Sequence, residues 1–335
     1  MKMRILAAVL AAATTGSALA DVNVYSYRQE FLIKPMLEAF TKETGIKVNT
    51  IYVKDGLAER IKQEGEHSPA DIVLTVDISR LEELVNEGLT QPIESEVVDA
   101  NIPANMRGNE WVALTQRARA VYSSKERVGK LPDSFTYLDL AKDEYKGKIC
   151  TRSGKHPYNV SLVASIIEHE GAEAAKEWLQ GVKANLARKP QGNDRVQVKA
   201  IMEGVCDYSL GNSYYYGKML TNEKEPEQKQ WAESAVINFP DQETYGTHMN
   251  VSGVALAKYA PNKEEAMQLI DFLTGDQAQH MYAEDNFEYP VNPNVQPSEL
   301  VASWGDFKKD EVDITKVASH YQEALKLVDE VQFDL

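Results

Sequence analysis

The chain has 335 residues, with 36 Lys+Arg against 51 Asp+Glu and a formal net charge of −15 at pH 7. So acidic a surface argues against nucleic acid or an anionic membrane as a partner, because their phosphates demand basic patches. The length allows one large or two medium lobes, each able to bury its own core.

At the N-terminus Lys2 and Arg4 precede an apolar, alanine-rich run, and Ala18-Leu19-Ala20 gives a small-x-small cleavage site before Asp21. The pattern is that of a secretory signal peptide over 1–20, too short for a comfortable membrane span. The mature chain is therefore expected to begin near Asp21, to be soluble and exported, and to reside in a bacterial periplasm. Loss of the leader removes Lys2 and Arg4 and no acid, leaving 34 basic against 51 acidic residues, a net −17.

Val22 to Tyr27 alternates as a strand should, and Phe31 to Glu43 carries apolar residues at helical spacing before Gly45. The pattern repeats with strand Lys47 to Val53, helix Leu57 to Glu64, strand Asp71 to Thr75 and helix Ser79 to Asn86. Strands alternating with helices predict a mostly parallel α/β sheet, with ligands beyond the carboxyl ends of its strands. Three loops should then face one crevice: Tyr27 to Glu30, Lys54 to Gly56, and Val76-Asp77. Trp111 to Tyr122 reads as one long strand with Arg117 and Arg119 on the same face, either crossing from lobe to lobe past the cleft or lying at an edge with solvated arginines.

Helices follow at Val160 to Glu168, Ala172 to Asn185 and Asp194 to Glu203. The polar loop Thr151 to Asn159 places Tyr158 at a helix start. Cys150 and Cys206 each sit beside a short strand-like run, so a disulfide between neighbouring strands is expected; closing 56 residues would contribute about 4 kcal/mol in the chain-entropy model. After the second run comes Tyr214-Tyr215-Tyr216 between Gly211 and Gly217. Three consecutive tyrosines cannot all enter one core, and in a helical first turn neighbours lie roughly 100° apart, so two could reach one object. A packed aromatic loop is the plainer alternative. Further on, Gly253 to Leu256 looks like a returning strand, Asn262 to Glu265 resembles a capping box opening a helix to Thr274, another helix spans Gln277 to Glu284, and a final helix runs from Ile314 to Val331.

No zinc motif, phosphate-binding glycine loop or serine elbow is present. His156 reads as a loop residue. What remains is a cluster of phenols, which bind metal at neutral pH only if the ion is acidic enough to displace a proton of pKa near 10. Ferric iron is such an ion: it is trivalent and hard, and three phenolates would cancel its charge.

Along essentially the whole mature chain the sequence resembles the periplasmic ferric-ion-binding proteins, the solute-binding components of iron(III) ABC transporters. The matching stretches are Val24-Tyr25-Ser26-x-Arg28, Pro69 to Asp77, Leu114 to Val121, Tyr158-Asn159-x-Ser161 to Ser165, and Asn212 to Tyr215. The resemblance implies a two-lobed type II binding protein, each lobe a mixed, mostly parallel sheet flanked by helices and joined by crossover strands. Its N-lobe would be 21–117 plus 246–295, its C-lobe 118–245 plus 296–335. It implies Fe(III) held by Tyr158, Tyr214 and Tyr215, with Tyr216 left to packing. Where many members carry a histidine, sometimes followed by tyrosine, this chain has Gln29 and Glu30, and where some use a glutamate it has Val76. The shell would therefore be completed by a synergistic anion such as carbonate or bicarbonate, held by Arg28, Gln29 and Arg119, with Arg117 as fallback and Glu30 as the alternative direct ligand. The expected partners are an inner-membrane ABC permease and ferric ion, the protein being a monomer and not an enzyme. Two other readings remain open: the same architecture caging an organic cation such as a polyamine or thiamine, and a periplasmic iron enzyme, which the lack of a facial triad disfavours.

Overall fold

The computed structural model describes residues 20–335; the leader assigned from sequence lies outside the described residues except for Ala20. The chain opens with β1 (Val22–Ser26), α1 (Glu30–Thr44), β2 (Val48–Tyr52), α2 (Leu57–Glu64), β3 (Ile72–Thr75), α3 (Ile78–Asn86), β4 (Thr90–Gln91) and α4 (Glu96–Asn101). The long β5 (Trp111–Ser124) is followed by β6 (Ile149–Cys150), α5 (Pro157–Glu170), α6 (Ala172–Ala184), α7 (Asp194–Met202), β7 (Tyr208–Asn212), α8 (Tyr214–Leu220), α9 (Glu227–Glu233) and β8 (Ala235–Asn238). Then come β9 (Met249–Ala257), α10 (Lys263–Thr274), α11 (Asp276–Asn286), β10 (Tyr289–Pro290), α12 (Glu299–Ala302), α13 (Ile314–Ser319) and α14 (Tyr321–Glu330).

The strands run in the order β2-β1-β3-β9-β5-β7-β6. The sheet is mixed. The β1–β2, β1–β3 and β6–β7 ladders are parallel, as βαβ alternation requires, whereas β5 and β9 are antiparallel to every neighbour. β5 is what joins the two halves. Trp111 to Ala118 pair with β9, and from Arg119 onward the same strand pairs with β7 and β8. Every residue of β5 is buried, which excludes the edge-strand alternative. Apolar cores form on both sides of that crossing. One contains Val24, Ile33, Leu74, Trp111, Leu256 and Leu269; two further clusters gather around Val163, Trp178 and Leu210, and around Tyr122, Val198 and Tyr214.

Three local expectations need correction. Cys206 does not lie in a strand: Gly204 takes φ 73 directly after α7, and Arg127 donates to the Cys206 carbonyl at 2.9 Å, so β7 starts only at Tyr208. The disulfide nevertheless joins Cys150 to Cys206 across a Cα separation of 5.9 Å, because β6 runs parallel beside β7. Asn262 forms no capping box, since its side chain donates to Asp71 at 3.1 Å and leaves the start of α10 uncapped. The final helix breaks at His320, whose ring bonds Glu168 at 2.8 Å. No helix among the described residues is long and apolar enough to cross a membrane.

Candidate functional site

The loops after β1, β2 and β3 meet the starts of α5 and α8 around a cleft of about 530 Å³. Tyr158 is the second residue of α5. Pro157 opens that helix, a position where the missing N–H costs nothing, and the His156 ring caps it by accepting from the Tyr158 amide at 3.3 Å. Tyr214 and Tyr215 open α8, so the triple-tyrosine run takes the helical geometry. Their rings lie 4.2 Å apart at 33°. Ser213 fixes this start on the crossing strand: its amide donates to the Ala118 carbonyl at 2.9 Å, and its hydroxyl accepts from the Ala118 amide at 3.2 Å. All three phenols line the cleft. Tyr216 does not. It packs between Tyr122 and Trp304, at 5.9 and 5.7 Å, and donates to the Ala235 carbonyl.

The cleft is rich in cations. Arg28, Arg80, Arg117, Arg152, Arg195, Lys54 and Lys155 line it, against the carboxylates of Asp55 and Glu288 only. Glu288 is committed to Arg28 in a buried pair, whereas Asp55 sits at the rim, its side chain 71% exposed and 2.9 Å from Arg80. The guanidinium carbons of Arg117, Arg119 and Arg152 stand 5.6, 5.9 and 5.3 Å from the centre of the Tyr158 ring. Burial drives the Tyr214 hydroxyl well above its ordinary pKa, and the neighbouring Tyr158 and Tyr215 phenols push it further. Tyr215 is raised by burial in the same way. Tyr214 and Tyr215 therefore stay protonated at neutral pH. His156 is held down at about 3, first by burial and then by Arg152, so it stays neutral.

The residues expected to hold an anion are placed differently from one another. Arg119 points the same way as Arg117, as their spacing predicted, but it does not line the cleft. It donates to Asp194 at 2.7 Å, to Asn212 at 3.0 Å and to Asn159 at 2.6 Å, inside the second-lobe wall. Asp194, the first residue of α7, draws it there, a pairing that no local sequence pattern signals. Arg117 lines the cleft instead. It is 2% exposed, its Nη1 donates to Ser252 Oγ at 2.7 Å, and its Nε and Nη2 have no partner. Arg28 Nη1 donates to the same Ser252 hydroxyl at 2.7 Å and its Nε is also unpartnered. Gln29 lies on the cleft at the start of α1 and makes no capping bond. Glu30 lines the groove between α1 and β2 instead, 3.5 Å from Lys34. Val76 lines the cleft without offering a donor atom.

Arg152, Asp194, Ser252 and Glu288 had no assigned role in the sequence reading. Arg152 stood in the polar loop before Tyr158, which is a readable signal. Ser252 and Glu288 reach the cleft only through the return of β9 and the end of α11, and no local pattern announces that. Among the described residues there is no cluster of three His, Cys, Asp or Glu able to hold a metal ion. Oxygen donors for a cation in this cleft are therefore chiefly phenols.

The fold and site define a type II periplasmic binding protein. Residues 25–280 match the family described as bacterial extracellular solute-binding protein, and the chain belongs to that family. It is 42% identical over 313 residues to iron uptake protein A1 of Synechocystis sp., spanning 92% of this chain and 86% of that relative. Apo ferric ion-binding protein A of Pasteurella haemolytica superposes with a TM-score of 0.91 at 61% identity, over 95% of this chain and 99% of that one. The Trichodesmium protein IdiA (FutA), in complex with iron and citrate, superposes with a TM-score of 0.86 at 40% identity, over 94% and 99%.

Proposed function

We propose that this protein captures ferric iron in the periplasm and delivers it to an inner-membrane ABC permease. Tyr158, Tyr214 and Tyr215 serve as phenolate ligands. The observation that carries this reading is three phenols converging on one cleft wall, backed by arginines, where free carboxylates are missing. A divalent ion such as Ca²⁺ would call for carboxylates and carbonyls, whereas a trivalent hard ion can displace phenolic protons. Each phenol gives up its proton on loading, and three phenolates neutralise the ion.

The remaining coordination positions fall to a small anion such as carbonate. Arg117, with two unpartnered guanidinium nitrogens, is its main holder, helped by Gln29 and by the free Nε of Arg28. A planar fork suits a planar carbonate. The two lobes, 21–117 with 246–295 and 118–245 with 296–335, close around the ion by hinge motion across β5 and β9. Closure excludes water and presents a surface that the permease reads. The protein works as a monomer. The same cations oppose the organic-cation reading, since a polyamine would meet guanidinium groups on both walls.

Adding ferric salt and bicarbonate to the apoprotein should produce a visible phenolate-to-iron charge-transfer band and raise the thermal midpoint; at a hundredfold excess over Kd, binding stabilises by about 2.7 kcal/mol. Tyr215→Phe should abolish most of that band. A colourless wild-type protein with an unchanged midpoint would overturn the proposal.

A further inference from the structure

Asp194 is 1% exposed at the first position of α7, and one carboxylate there meets groups from three other elements. From β5, Arg119 donates to Oδ2 at 2.7 Å. From the loop before α5, Arg152 donates to Oδ1 at 3.1 Å. From the end of β7, the Asn212 amide donates to Oδ2 at 2.9 Å, two residues before Tyr214. Arg119 in turn donates to Asn159, the neighbour of Tyr158, and Asn159 donates back to Thr151 Oγ1 at 3.1 Å and to the Ser153 carbonyl at 3.1 Å. Every element that carries a proposed phenolate is thus tied to Asp194 by a direct bond or through one residue. Room around it is fixed as well: a Cβ added at Gly211 would meet Tyr122 at 2.5 Å and Asp194 Cβ at 3.4 Å.

We infer that Asp194 is a positioning residue for the phenolate site, setting the distance between Tyr158 and the Tyr214–Tyr215 pair and holding Arg152 beside the Tyr158 ring. The inference rests on the ferric reading above. A buried carboxylate between two arginines costs desolvation on all three groups, and replacing such a cluster by apolar side chains is often neutral or stabilising. Its presence here is accounted for by geometry: it puts two rigid forks and one backbone amide on a single point, and one of those forks forms part of the cleft wall. Partners of this outer kind orient metal ligands, and their loss typically lowers metal affinity about 10- to 100-fold.

The test is a ferric titration in bicarbonate of wild type, Asp194→Asn and Asp194→Ala, following the charge-transfer band and the apparent Kd of the folded fraction. Asp194→Asn keeps an oxygen for the Asn212 amide but gives up the charge that clamps the arginines, whereas Asp194→Ala gives up both. Affinity should fall about 10- to 100-fold in Asp194→Ala and by less in Asp194→Asn, with a displaced band maximum in each. A purely structural role would lower the thermal midpoint and leave the band and affinity of the folded fraction as in wild type; that result overturns the inference. If neither variant folds, Asp194→Glu carries the test, because it keeps the charge between Arg119 and Arg152 but changes the distance at which they are held: a displaced band supports the inference, and a wild-type band and affinity overturn it. A wild type without any band instead overturns the ferric reading.

Discussion

On the second-lobe wall of the cleft, three phenols stand at helix starts that are anchored from behind: α8 through Ser213 on β5, and the Tyr158 loop through Asn159 and Arg119. The first-lobe wall is built largely from loop ends, and it presents Tyr27, Arg28, Gln29, Tyr52, Lys54, Asp55, Val76 and Arg80 among others. Tyr27 is engaged twice over, its hydroxyl accepting from the Leu57 amide at 2.9 Å and its ring lying 3.8 Å from the Arg80 guanidinium carbon. One wall therefore offers three clustered phenols at fixed helix starts, and the other offers chiefly positive charge and an amide, its own oxygens being engaged, as in Tyr27 and Asp55, or exposed, as in Tyr52. That asymmetry is what the proposed arrangement uses, with three phenolate ligands on one side and an anion bridging to the other. On the same proposal a cleft lined by so many cations can suit a metal, since the phenolates would form as the metal arrives and the arginines would compensate the anion.

The sharpest way to break the comparison is to remove one phenol from each wall. Tyr158→Phe removes a proposed ligand and should weaken ferric binding by more than the 10- to 100-fold typical of outer partners, about 100-fold or beyond, with a weaker charge-transfer band. Tyr27→Phe should leave the band where it is and cost about 1 kcal/mol of stability, for the hydrogen bond from Leu57. Equal losses of affinity in the two variants would mean that iron lies between the walls with a ligand from each.

Next in size is Arg117→Met. The buried guanidinium carries one hydrogen bond and no acidic partner, so its removal should stabilise the metal-free protein by about 1–3 kcal/mol, the desolvation penalty of an unsatisfied polar group. The same change should make ferric affinity nearly insensitive to added bicarbonate. A thermal melt and a titration with and without the anion read both effects. A gain in stability with anion dependence intact would move the anion to Gln29 and Arg28.

Much of this arrangement was legible in the chain. Element types along 22–86 follow from alternation and helical spacing, since each strand and helix there is bounded by a turn residue such as Gly45, which takes φ 78. Tyr214 and Tyr215 announced themselves because three adjacent aromatics exceed what one core face absorbs. Choosing between Arg117 and Arg119 was beyond sequence reasoning, because it depends on Asp194, which lies 75 residues from Arg119 and arrives by tertiary packing. Ser252 and Glu288 were silent for the same reason: neither sits in a local pattern, and each gains its role from an arginine more than 130 positions away. Spacing along an element is written locally, whereas charge pairing across a cleft is written only in the fold.

The smallest expected effect would sharpen the asymmetry rather than break it. Gln29 is exposed where β1 gives way to α1, and no hydrogen bond holds its side chain. Gln29→His would place a neutral imidazole on the first wall, opposite the phenols, at a stability cost within about 0.5 kcal/mol for so exposed a site. Imidazole is a softer donor than phenolate oxygen, so the gain in ferric affinity should stay below about tenfold, or 1.4 kcal/mol. Bicarbonate dependence should nevertheless fall, because a protein donor on that side competes with the anion for the same coordination position. If affinity and anion dependence are both unmoved, the first wall does not reach the metal even after closure, and the bridging anion alone connects the two halves of the site.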